Sequence, residues 1–129
     1  MKKIGIACDH AGFQMKEFLV GYLSAKGYDV VDFGTDSEES IDYPDFGHAL
    51  ASAIEAGEME QGVGLCGSGE GMAMTLNKHQ GIRAGLCWNN DVADRRGGYF
   101  FLAVFYILIS CNTNIIAFIG FHNWYSKCP

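Results

Sequence analysis

The chain has 129 residues, 49% hydrophobic and 19% charged, which fits one globular domain and excludes a disordered chain. Nine Lys and Arg against fifteen Asp and Glu give a net charge of −6. That excludes a basic nucleic-acid face, but not a small anionic ligand, which backbone N–H groups can hold at any net charge.

"MKKIGIACDH" opens with two lysines and a short apolar run, which Asp9 ends too early for a signal peptide. The part "KIGIACD" is predicted to be a buried strand. "FQMKEFLVGYLSAKG" predicts a helix with Phe18, Leu19, Tyr22 and Leu23 on one face and Gly27 just past its end. "YDVVDFG" reads as a second strand, and "TDSEESIDYPD" as a polar loop whose Pro44 suits the first turn of the next helix. In that helix Phe46, Ala49, Leu50, Ala53 and Ile54 keep the 3.6-residue period up to Gly57. "GVGLC" is a third strand, "GSGEG" a turn, "MAMTLNKH" a helix start and "IRAGLCW" a fourth strand.

Strands alternating with helices imply βαβ units, hence an α/β fold with a parallel sheet between two helical layers. Ligands of such sheets gather at the carboxyl ends of the strands. Asp9-His10, the 35–45 loop and Cys66-Gly67-Ser68 therefore converge on one edge.

The tail breaks this pattern. Residues 97–126 contain no Asp, Glu, Lys or Arg, and residues 99–121 form an apolar run of bilayer-spanning length interrupted by "CNTN". Those polar residues would be costly in lipid, so a membrane span stands against a strand or helix that completes the core. The five cysteines (Cys8, Cys66, Cys87, Cys111, Cys128) are odd in number and form no CxxC pair. This argues against zinc and for reduced thiols in a cytoplasm. Cys8 and Cys87 are expected as buried strand thiols, and His48 and His79 as ordinary surface or core residues.

"GVGLCGSGEGMAM", residues 62–74, carries the chemistry. Gly62-x-Gly64-x-x-Gly67 has the letters of a dinucleotide fingerprint, but its first half is the strand itself, and no Gly-Lys-Ser/Thr follows for a phosphate loop. Gly67, Gly69 and Gly71 either let backbone N–H groups converge on an anion at a helix N-terminus, or merely permit close packing. Cys66, the last strand residue, is either an ordinary buried thiol or a base favoured as thiolate beside that helix. A base next to an anion hole suits chemistry in which a proton leaves carbon and an enediolate oxyanion forms.

The segments "GIACDHAGF", "VVDFGT", "DYPDFG", "LCGSGEGMAM", "NK" and "GIRAGLCW", spread from Met1 to about Ala93, together resemble the ribose-5-phosphate isomerase type B family, which includes galactose-6-phosphate isomerase subunits. The resemblance implies a Rossmann-like three-layer αβα sandwich, dimeric or tetrameric, with sites shared between subunits. It also implies a sugar-phosphate substrate and no metal or organic cofactor. Carried over, Cys66 is the base that moves a proton between carbons 1 and 2 of the open-chain sugar. Gly67, Ser68, Gly69, Glu70 and Gly71 form the turn that holds the enediolate, with Ser68 also bonding a sugar oxygen. Asp9 and His10 match a pair that contacts substrate hydroxyls or phosphate, although Asp9 also suits a loop cap. Tyr43 matches a substrate-contacting tyrosine and Asn77 the asparagine of the family's "NK". Where some relatives use a glutamate, this chain has Met72, so the cysteine type applies.

After "CWNNDVA" the resemblance ends. The family's His-Asn-Asp motif, whose histidine helps open the sugar ring, and its phosphate-gripping arginines have no recognisable counterpart; Arg95, Arg96 and His122 stand in no matching motif. The expected organisation is an isomerase-like part, 1–95, and an atypical apolar tail, 96–129, frame-shifted or otherwise replaced. The expected function is an aldose–ketose isomerase converting ribose 5-phosphate to ribulose 5-phosphate, impaired in this form. A non-catalytic sugar-phosphate-binding remnant and a membrane-tethered domain are the competing expectations.

Overall fold

The apolar run after Lys3 forms strand β1 (Lys3–Cys8), and Asp9 turns the chain into a 3₁₀ turn, His10–Gly12. Helix α1 (Phe13–Ala25) follows and ends at Gly27, whose φ of 88° is the left-handed conformation that glycine adopts without strain. Strand β2 (Asp29–Asp32), helix α2 (Tyr43–Glu55), strand β3 (Gln61–Leu65), helix α3 (Glu70–Asn77) and strand β4 (Arg83–Cys87) complete the alternation. Strand β5 (Ile116–Gly120) comes from the tail. The computed structural model describes residues 3–37, 39, 43–59, 61–67, 69–87 and 116–120, with the backbone alone at Tyr43, Cys87 and 116–120.

The sheet order is β2-β1-β3-β5-β4. β1 pairs in parallel with β2 and β3, as βαβ units require. β5 lies antiparallel between β3 and β4, so β4 still runs in the direction of β3. The sheet predicted as parallel is thus parallel in its four alternating strands, with one antiparallel insertion. "IAFIG" suits that place because uncharged β-branched and aromatic residues favour a strand paired on both sides. Residues 116–120 being a strand is incompatible with one spanning helix over 99–121, and among the described residues no helix is long and apolar enough to cross a membrane. The remainder of that run lies outside the described residues.

Side chains alternate across β1. Ile4, Ile6 and Cys8 join Met15, Leu19 and Leu23 of α1 in one apolar layer, each buried leucine contributing ~2 kcal/mol. Ala7 faces the other layer, built from Leu50 and Ile54 of α2 with Met72 and Leu76 of α3. On that second face the strands are nearly bare. A methyl group added at Gly62 would lie 2.9 Å from Leu50 Cδ1, and one at Gly64 would lie 2.5 Å from Met72 Cγ. The fingerprint-like spacing Gly62-x-Gly64 therefore serves helix-on-sheet packing, not a nucleotide.

α1 differs from its predicted face. The buried residues are Met15, Lys16, Leu19 and Leu23, whereas Phe18 is 44% exposed and its ring stacks on Tyr22 at 6.3 Å. The stripe is rotated towards Lys16 because that ammonium finds partners inside.

Candidate active site

β1 and β3 are neighbours, so their carboxyl ends bring Asp9 and Cys66 to the same edge. The Asp9 N–H donates to the Leu65 carbonyl at 3.2 Å, extending the ladder by one step beyond Cys8↔Leu65. Asp9 is 7% exposed, and its Oδ1 accepts the Gly12 N–H at 3.0 Å. Asp9 therefore caps the 3₁₀ turn, and its backbone is tied to the residue before Cys66. His10 opens that turn. The next residue packs over the glycine loop, since a methyl group at Gly67 would lie 3.6 Å from Ala11 Cβ.

Cys66 follows the last residue of β3 and is 4% exposed, a free thiol packed within the layer of Ala7, Met72 and Ala73. Its sulfur is not left to hydrocarbon alone: the Gly69 N–H donates to Cys66 Sγ at 3.0 Å. Gly69 is the N-cap of α3, with φ 76° and ψ −24°, a left-handed conformation strained for any other residue. That conformation directs the chain into α3 from the peptide whose N–H meets the sulfur, and the Gly69 carbonyl accepts the Ala73 N–H at 3.0 Å and so starts the helix. The sulfur therefore sits at the N-terminal end of α3, bonded to the N–H of the residue that caps the helix. Glu70 and Gly71 supply the first turn, with Glu70 exposed.

The remaining expected residues divide. Tyr43 is the first residue of α2, and its side chain lies outside the described residues, as does Ser68. Asn77 is not at this edge. It ends α3, beside the amino end of β4, where its Nδ2 donates to the Ala84 carbonyl at 2.8 Å and its Oδ1 accepts the Ala84 N–H at 2.7 Å. The side-chain amide mimics a strand neighbour, filling hydrogen-bonding positions of Ala84, and this sets Asn77 apart from the edge that carries Asp9 and Cys66.

Two polar clusters escaped the sequence reading. On the β2 side of β1, Lys16 is 1% exposed, and its Nζ lies 2.7 Å from Asp32 Oδ2, 2.8 Å from the Thr35 carbonyl and 3.0 Å from Glu17 Oε1. Burial alone would lower the Lys16 pKa, but the Asp32 and Glu17 contacts more than offset it and the net shift is upward. Next to it, burial raises the Cys8 thiol to about 11, against a smaller downward pull from a Thr35 backbone hydrogen bond and the Lys16 charge. The signal in the sequence was a lysine at i relative to Leu19 (i+3) and Leu23 (i+7), a charge on an apolar stripe. At the opposite edge, His79 Nδ1 lies 2.8 Å from Glu55 Oε2, and His79 Nε2 lies 2.8 Å from His48 Nδ1. These histidines are therefore partners across α2 and the turn after α3.

Among the described residues, no group of three or more His, Cys, Asp or Glu is placed to hold a metal ion.

A thiol, a glycine turn and a helix N-terminus at the carboxyl edge of a βαβ sheet define an α/β protein of the kind that receives small ligands at its strand ends. The profile of the Ribose/Galactose Isomerase family matches residues 4–97, and the chain belongs to that family. It is 44% identical over 87 residues to ribose-5-phosphate isomerase B of Escherichia coli (strain K12), covering 67% of this chain and 58% of that protein. It is 39% identical over 114 residues to the galactose-6-phosphate isomerase subunit LacB of Clostridium acetobutylicum, covering 88% of this chain and 60% of that protein. The chain thus spans less than two thirds of the length of these curated relatives. Its structure is similar to the crystal structure of a ribose 5-phosphate isomerase from Thermotoga maritima, with a TM-score of 0.72, 38% identity and 88% of each chain covered.

Proposed function

We propose that the chain is an aldose–ketose isomerase of sugar phosphates, with ribose 5-phosphate as substrate and ribulose 5-phosphate as product. The observation that carries this is the 3.0 Å contact from the Gly69 N–H to Cys66 Sγ at the start of α3. As a thiolate, Cys66 removes the proton from carbon 2 of the open-chain aldose. The C–H electrons form the C1–C2 double bond, and the carbonyl π electrons move onto O1 to give the enediolate. The thiol returns its proton to carbon 1 while O2 becomes the ketose carbonyl; the hydroxyl proton that O2 loses is gained by O1. When the sulfur takes up the proton, its bond to the Gly69 N–H loses charge assistance. The helix terminus then favours the new oxyanion, a stabilisation that grows with the charge it serves. Asp9, and His10 at the head of its turn, are assigned to the sugar hydroxyls or phosphate. Ser68 and Tyr43 are assigned to substrate contacts through the family resemblance.

Residues 97–126 carry no cationic Lys or Arg. On the proposed division into 1–95 and an atypical tail, 96–129, in which the arginine motifs that the family resemblance implies have no recognisable counterpart, phosphate binding is weak. Remote binding energy orients the reacting carbons, so turnover by this form is impaired. If the coding DNA contains no family-like ending in another frame, the replaced-tail proposal is wrong. A second copy of the chain is the proposed partner, as the family resemblance implies, and a reducing cytoplasm the proposed compartment. Sedimentation of the purified chain as a monomer would refute the first of these.

The test of function is turnover of ribose 5-phosphate and galactose 6-phosphate by the purified chain and by Cys66→Ser. Measurable isomerisation of ribose 5-phosphate that Cys66→Ser abolishes is expected. Binding of the sugar phosphate with no isomerisation by the unmodified chain would favour a non-catalytic remnant instead.

A further inference from the structure

A lysine buried to 1% exposure is rare unless its charge is fully answered. Lys16 is answered from three directions at once: the Asp32 carboxylate at the end of β2, the Thr35 carbonyl beyond it and Glu17 on its own helix. Its Nζ also lies 5.2 Å from the centroid of the Phe13 ring. The backbone is shaped around it. Asp32 Oδ1 accepts the Gly34 N–H at 2.8 Å, and a methyl group at Gly34 would lie 2.6 Å from Lys16 Cδ and 2.7 Å from Cys8 Sγ. Thr35 forms a backbone hydrogen bond with Cys8, the residue before Asp9. An unbroken line of contacts therefore runs from α1 through Lys16, Thr35 and Cys8 to the strand end that carries Asp9.

We propose that Lys16 is a positioning residue of the active site: its ammonium pins the segment leaving β2 against the end of β1 and so fixes Asp9 for the substrate. This rests on the isomerase reading above. Lys16 touches no reacting atom. Its charge is spent inside the cluster, so it orders the edge without adding free positive charge to it. The proton-transfer half of the site, Cys66 and Gly69, hangs from β3 and α3 instead. Loss of Lys16 should therefore weaken substrate binding more than the chemical step.

The experiment compares the full chain with Lys16→Met, Asp32→Asn and, as a control, Glu17→Gln, whose side chain is largely exposed and keeps an acceptor. Lys16→Met should raise KM for ribose 5-phosphate about tenfold with kcat within about twofold, as expected for loss of a buried charged anchor. Glu17→Gln should leave both unchanged. Hydrogen exchange should speed up about tenfold or more at the amides of Phe33–Thr35 and stay unchanged at Gly67, Gly69 and Glu70. An unchanged KM, or equal acceleration at both groups of amides, overturns the proposal. Should the unmodified chain turn over no sugar phosphate, the isomerase reading fails and the exchange pattern alone decides whether Lys16 orders this edge. Should Lys16→Met fail to fold, Asp32→Asn is judged by the same two readouts.

Discussion

The Gly69 N–H donates to Cys66 Sγ from 3.0 Å, and a φ of 76° at Gly69 lets the chain enter α3 directly from that bond. The pair joins the start of α3 to the sulfur of the proposed base. Gly69→Ala should cost about 1–2 kcal/mol of stability, the penalty for a side chain in left-handed backbone. It should lower kcat where relieving that strain moves the N–H off the sulfur, by up to about 100-fold if the donor is lost altogether. Urea unfolding and initial rates on the same preparation check both. A fall in kcat no larger than the loss of folded protein would show that this N–H has no part in catalysis.

Asn77 and Ala84 exchange two hydrogen bonds, at 2.8 and 2.7 Å, far along α3 from the sulfur. Asn77→Ala should therefore destabilise the fold by about 1–2 kcal/mol, the usual net worth of two partly exposed hydrogen bonds. KM and kcat should stay within about twofold once folded protein is counted. A raised KM at unchanged stability would restore Asn77 to the substrate site.

Glu55 joins the amino edge through two partners. The Gly81 N–H, at 2.9 Å, and then His79, at 2.8 Å, lower its pKa below the ordinary 4.5. A carboxylate depressed in the folded state contributes stability above the unfolded value and loses it as pH falls through the folded one. Between about pH 6 and 3 the melting temperature should fall, and Glu55→Gln should flatten the acid end of that profile while preserving an acceptor for Gly81. Parallel profiles for the two proteins would show that the contact does not contribute to acid stability.

Much of this architecture was legible. The alternation of "KIGIAC", "GVGL" and "RAGLC" with helical periods places β1, β3 and β4 because buried parallel strands are short apolar runs bounded by turns. Cys66 and Asp9 could be brought to one edge by topology alone. Three things could not be read. The antiparallel entry of β5 between β3 and β4 depends on long-range pairing that periodicity does not encode. Gly62 and Gly64 show their purpose only when Leu50, Ile54 and Met72 are seen lying against them. The role of Asn77 was hidden because its partners are the backbone groups of Ala84, which leave no letter in the sequence, and that of Lys16 because its pairing with Asp32 and the Thr35 carbonyl is made only when α1 packs beside β2.

Cys8 is, like Cys66, a free buried thiol, and its own surroundings move its titration. Burial raises it from 9.0 to about 11, so the folded state holds its proton more tightly than the unfolded chain does. The sign follows directly: the contribution is fully present below pH 9, and it is lost as pH rises from 9 to 11, because there the unfolded state binds fewer protons. The total is roughly 2–3 kcal/mol. Cys8→Ala removes the titrating group at a packing cost of about 1 kcal/mol, so it should start less stable at pH 8 and decline less steeply towards pH 11. Urea midpoints across that range check the slope. Alkylation checks it independently: at pH 8 only about one Cys8 in a thousand is thiolate, so iodoacetamide should leave its peptide unmodified in the native protein. Equal slopes for the two proteins, or rapid native alkylation of Cys8, would mean that the thiol is neither buried nor raised, and the packing of β1 against Gly34 would have to be redrawn.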